Sequence, residues 1–159
     1  MEQTTTIVET ESPKRPTFLK VICILSFIGA PLGLIGGIMN YFTYTAMANA
    51  GKILSGVEGT ERMEATMNTM KQMLGIDYTK VANGQLIVGL LNILVLVGAI
   101  MMWNLKKMGF YIYTLGQLAT LGIIFGYIGG MVGGIMGIFT AIFAIAFIVM
   151  YGVNLKHMK

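Results

Sequence analysis

Polar and apolar residues fall into long separate blocks along this chain. After seventeen mostly polar residues, MEQTTTIVETESPKRPT, an apolar run of 27 residues extends over 18–44, broken only by Lys20. As a helix rising about 1.5 Å per residue it would reach roughly 40 Å, more than the roughly 30 Å hydrocarbon core of a bilayer. Such a segment must tilt, kink or project. Pro31, which lacks an N–H and crowds the carbonyl of Phe27, is the expected kink.

A second run, 81–103, lies between Lys80 and Lys106 and is 23 residues long, the length of one crossing. The third uncharged run, 108–155, has 48 residues and would reach about 72 Å as one helix, so it must cross twice. Its midpoint falls in GGMVGG, whose glycines 129, 130, 133 and 134 are the punctuation expected between two helices. The spacing therefore predicts an all-α integral membrane bundle of four helices, with spans near 18–44, 81–103, 108–128 and 134–154. Residues 1–17 are expected to be a disordered tail, and 18–159 the transmembrane domain.

The segment 46–80 is expected to be an outer loop with its own helix. Met63, Met67, Met70 and Leu74 recur at i, i+4, i+7 and i+11, placing Met on one face and leaving Glu61, Glu64 and Lys71 to solvent. Soft thioethers select Cu(I), which makes Met63, Met67, Met70 and Met73 candidate ligands. The plainer expectation is that these methionines are adaptable filler on a membrane or bundle surface. No Cys or His accompanies them.

Composition agrees with a membrane location. The chain of 159 residues is 55% hydrophobic and 11% charged, with a mean hydropathy of +0.74, too apolar for a soluble domain. Its net charge of +4 comes from basic residues set singly or in pairs at the ends of apolar runs. They act as topology signals, and no nucleic-acid partner is expected.

Seven of the basic residues, Lys14, Arg15, Lys20, Lys106, Lys107, Lys156 and Lys159, fall on one side of a four-span arrangement, against four on the other: Lys52, Arg62, Lys71 and Lys80. The positive-inside rule then puts both termini in the cytoplasm and the protein in a cell inner membrane. Trp103, Tyr111, Tyr113 and Tyr151 are expected as an aromatic belt on the cytoplasmic side, and Tyr41 and Tyr44 on the outer side. The first run is too long, and too far from the small-residue site Ala48–Ala50, for a cleaved signal peptide.

Glycines four apart mark faces on which helices can approach: Gly29, Gly33 and Gly37, then Gly126 with Gly130 and Gly133 with Gly137. NLKKM at 104–108 returns as NLKHM at 154–158, which fits two tandem helical hairpins or simply two helix ends with the same interfacial needs.

Little within the spans can carry chemistry. No acidic residue lies inside a span, which argues against a proton-coupled pump. The polar residues there include Asn40, Gln85, Asn92 and Gln117, with a few Ser and Thr. Gln85 and Asn92 share a helix face, either as hydrogen-bonding glue between helices or as the lining of a substrate path. His157 has no carboxylate, Cys or second His near it, the lone Cys23 cannot form an internal disulfide, and the glycine-rich stretch lacks the Lys and Ser/Thr of a phosphate loop. No catalytic residue and no cofactor are expected.

The stretches RPTFLKVICILSFIGAPLGLI at 15–35 and MWNLKKMGFYIYTLGQ at 102–117 resemble a group of uncharacterised small four-span bacterial membrane proteins, with an RPxFL lead-in to the first helix and a WxLKKxGFY loop joining the second to the third. The resemblance implies four spans and no catalytic residue. The expected role is a scaffold, accessory subunit or homo-oligomer with a membrane-protein partner in the lipid bilayer; the alternative is a small transporter or channel, in its sharpest form for Cu(I).

Overall fold

A computed structural model describes residues 16–54 and 57–159; the expected tail lies outside these apart from Pro16 and Thr17. The described chain is all helix: α1 (Thr17–Leu54), α2 (Glu61–Leu74), α3 (Tyr78–Trp103), α4 (Met108–Gly122) continued by a π-helical turn (Ile123–Ile128), and α5 (Gly130–Asn154). Four segments of 34, 26, 21 and 25 residues are long and apolar enough to cross a membrane. They form a four-helix bundle.

The elements begin and end where backbone chemistry dictates. Asp77 caps α3 by accepting from Thr79 N at 3.0 Å and Lys80 N at 3.2 Å, which satisfies two of the N–H groups a helix start leaves open. α2 ends at Gly75, whose φ of 61° suits a residue without a Cβ. The turn into α5 is narrower than the four glycines predict. Only Gly129 (φ 55°) and Gly130 (φ 62°) take left-handed conformations there, while Gly133 and Gly134 lie inside α5, which starts four residues before the expected 134. The π-helical turn absorbs the difference, with Gly129 N donating to Ile124 O at 3.1 Å. The first helix continues through Pro31 and ends ten residues beyond the expected Tyr44.

Helix polarity alternates, so one end of the bundle gathers the start of α1, the α3–α4 loop and the end of α5. There Lys159 N donates to Leu105 O at 2.7 Å and Lys107 N to Lys159 O at 2.8 Å. The two NLK sequences thus meet in space. Asn104 and Asn154 each donate to the carbonyl four residues back, at 3.1 and 2.8 Å, but the likeness stops at the next residue: Leu105 is left-handed at φ 60° and Leu155 is not, at φ −55°. The opposite end holds α2, the end of α1 and the start of α3; the Gly75 and Gly130 backbones approach each other beside them.

Two apolar clusters fill these ends. Leu19, Ile22, Cys23, Met102, Tyr113, Tyr151 and Met158 form the terminal one; Val81, Ile124 and Ile128, flanked by Tyr44, Ile76, Val88 and Met136, form the one near α2. α1 and α3 pack closest, because Gly37 and Gly89 face each other: a Cβ on Gly37 would lie 2.5 Å from Gly89 Cα. α5 is the least buried of the four spans. Its outward face, including Ile138, Ile142, Phe143 and Val149, is exposed, as a surface turned to hydrocarbon is.

Candidate functional site

The bundle's middle, between the two apolar clusters, holds amides and hydroxyls within a mainly apolar lining. A cavity of about 290 Å³ there takes one stripe from each spanning helix: Gly33, Gly36, Gly37 and Asn40 from α1, Gln85, Val88 and Asn92 from α3, Gln117, Thr120 and Ile124 from α4 with its π turn, and Met136 and Thr140 from α5. A smaller cavity of about 170 Å³ shares Asn92, Gln117 and Thr140 with it and continues past Ser26, Val95 and Tyr113. These are two lobes of one space. Four of the amides inside the spans, Asn40, Gln85, Asn92 and Gln117, line it; Asn83 is exposed and Asn154 sits at the terminal end of α5. The spacings explain the convergence: 33, 36/37 and 40 on α1, 85, 88 and 92 on α3, and 117, 120 and 124 on α4 each hold one helix face.

The hydrogen bonds decide between glue and lining. Asn92 Nδ2 donates to Val88 O at 2.8 Å, Gln117 Nε2 to Tyr113 Oη at 3.2 Å, Thr120 Oγ1 to Gly116 O at 2.9 Å and Thr140 Oγ1 to Met136 O at 2.8 Å. All four bonds stay within one helix, one turn back. The cross-helix bonds of the amides are weak: Asn40 Nδ2 to Gln85 Oε1 at 3.5 Å, and Gln85 Nε2 to Met136 Sδ at 3.8 Å. Glue would join helices with short bonds. Here Asn92 and Gln117 are braced by their own helices, Asn40 and Gln85 meet only through long cross-helix bonds, and all four residues line the cavity.

Among the described residues, no Asp, Glu, Lys, Arg or His lines either lobe. The space suits uncharged donors and acceptors. Leu25, Gly29 and Phe143, on the rim of the smaller lobe, are exposed, so that lobe opens between α1 and α5 on the lipid-facing surface. A tyrosine pair stands toward either end of the bundle. Tyr44 and Tyr78 stack at 6.5 Å, and Tyr113 meets Tyr151 edge to face at 4.9 Å. Tyr113 and Tyr151 are 2% and 0% exposed, which corrects their assignment to an aromatic belt: they face the bundle, and Tyr111 faces out.

The predicted glycine faces divide. Gly33 and Gly37 are used inside the chain, against the Asn92 carboxamide and the Gly89 backbone; Gly133 lies against Ile124 O, Gly137 beneath the Phe125 ring and Gly130 against Gly75. Gly29 and Gly126 have no atom within 4 Å of a β-position. The sequence reading missed the contact of Gly98 with Gly109, where a Cβ on Gly109 would lie 2.6 Å from Gly98 O. Those glycines sit on separate helices, so no i, i+4 pattern marks them.

The methionines of α2 do not share one direction. Met67 enters a pocket near the α1–α3 junction, whereas Met63, Met70 and Met73 are 61%, 52% and 79% exposed. No group of three or more His, Cys, Asp or Glu able to hold a metal occurs among the described residues. Comparison with protein-family models, curated proteins and solved structures finds no match.

Proposed function

We propose that this multi-pass membrane protein binds a small uncharged, hydrogen-bonding molecule within the bilayer and acts as its carrier or transporter. The observation behind this reading is the convergence of Asn40, Gln85, Asn92 and Gln117 on one cavity, where the short bonds of Asn92 and Gln117 stay within single helices and the cross-helix bonds of Asn40 and Gln85 are long. A polar group without a good partner in an apolar medium is costly. Four amides around one space, two of them (Asn40 and Gln85) joined only by long bonds, is an arrangement that a bound polar molecule stabilises. The side opening between α1 and α5 favours a ligand that partitions into the membrane. Basic residues gathered at the terminal end favour an inner-membrane protein with cytoplasmic termini.

A second reading, assembly with another copy or a partner helix, draws on Gly29 and Gly126. Both are exposed and leave room for a close backbone.

Native mass spectrometry of the protein extracted in mild detergent tests the first reading against the second. A small-molecule adduct on the monomer, lost in Asn92→Leu and Gln117→Leu while Gly126→Leu retains it, is the expected result. A stoichiometric dimer or hetero-complex without adduct, dispersed by Gly29→Leu, would overturn it in favour of assembly.

A further inference from the structure

A second pocket, of about 260 Å³, lies at the α2 end, outside the polar cavity. Its walls carry both signs of charge: Lys52 from the end of α1, Glu64 and Lys71 from α2, and Asp77 at the start of α3, with Asn68 and Tyr78 between them. Glu64 and Lys71 are seven residues apart on one face of α2, about 10 Å along the axis. The wall of α2 therefore has an anionic end and a cationic end. Both capping bonds of Asp77 fall on Oδ1, which leaves its Oδ2 to accept from a ligand.

The depth of the pocket narrows the ligand class. Tyr78 opens α3 and stacks on Tyr44, the residue at which the first apolar run ends. The pocket thus begins where hydrocarbon gives way to headgroups. α2 turns Glu64, Asn68 and Lys71 to the pocket together with Met67, and carries exposed Met63, Met70 and Met73 elsewhere, the mixed character of a helix lying in an interface. A phosphate needs a cationic partner and an ammonium an anionic or carbonyl one; this pocket offers both within the reach of one small group.

We infer that the pocket between α1, α2 and α3 binds a phosphate–ammonium zwitterion, the chemistry of an ethanolamine phospholipid headgroup or of its water-soluble counterpart. The phosphate lies toward Lys71 and Lys52, and the ammonium toward Glu64 and Asp77. This site stands independently of the central cavity.

The test uses the full chain reconstituted in vesicles of equimolar phosphatidylethanolamine and phosphatidylglycerol, then extracted for native mass spectrometry. Wild type should retain one phosphatidylethanolamine in preference to phosphatidylglycerol. Lys71→Met and Glu64→Gln should each lower that retention about tenfold, the effect of losing one charge-assisted bond, while Lys71→Arg and the cavity variant Asn92→Leu keep it. Added glycerophosphoethanolamine separates the sources: if it binds and no lipid is retained, the free zwitterion is the ligand, and if the lipid resists it, the membrane supplies the ligand. Equal retention of both lipids in wild type and variants, with no binding of the soluble compound, would overturn the assignment.

Discussion

The carboxamide of Asn92 occupies the space that a β-carbon on Gly33 would need: that carbon would lie 2.6 Å from Oδ1 and 2.8 Å from Cγ. A glycine on α1 and an amide on α3 are therefore one feature. Gly33→Ala should displace the amide from its bond to Val88 O and lower thermal stability in detergent by about 1–3 kcal/mol. In an Asn92→Ala background the same change should cost less than half as much, since the clash has gone. Equal costs in the two backgrounds would show that the pair is not coupled.

Gly37 poses a harder constraint than Gly33, because it faces backbone. A β-carbon there would lie 2.5 Å from Gly89 Cα and 2.7 Å from Gln85 O, and no rotamer change can relieve that. Gly37→Ala should force α1 and α3 apart and destabilise more than Gly33→Ala, whereas Gly29→Ala, with open space around it, should be neutral within about 0.5 kcal/mol. Unfolding temperatures ranked 29, 33, 37 in falling order are the expected readout.

The four helices were legible because a span's length and lack of charge follow directly from bilayer thickness, and the sequence shows both. The in-span amides were legible as exceptions, and Gln85 with Asn92 as one face. Their meeting with Asn40 and Gln117 was not, because it depends on the rotation of four helices about their axes, which hydrophobic runs do not encode. Tyr113 and Tyr151 show the same limit. Their position near a helix end reads as an interfacial belt, and only the rotation of α4 and α5 turns them inward. The turn at Gly129–Gly130 was placed well by arithmetic, but the π-helical turn before it has no marker in composition.

Tyr151 ties α5, the least buried span, to the rest of the bundle. Its hydroxyl lies 2.8 Å from Ser26 Oγ on α1, 125 residues away in sequence, within the terminal apolar cluster. Tyr151→Phe leaves the Ser26 hydroxyl without this partner and should cost about 1 kcal/mol, as should Ser26→Ala. The double variant should cost clearly less than the sum, because removing both groups leaves neither polar atom unpaired. Additive losses in a thermal-unfolding cycle would show that the bond contributes nothing on its own.

The charge distribution predicts an orientation for the bundle, and the structure supplies positions at which to test it. Lys107 is exposed at the terminal end, in the α3–α4 loop, and Met73 is 79% exposed on α2 at the other end. Cys23 is fully buried in the core, so a Cys23→Ser background removes the one native thiol. In that background Met73→Cys should react in intact cells with a membrane-impermeant maleimide, and Lys107→Cys only after permeabilisation. The reverse pattern would place the termini outside despite seven basic residues against four. It would also move the zwitterion pocket from the outer leaflet to the inner one, so labelling fixes which leaflet the lipid-retention experiment must supply.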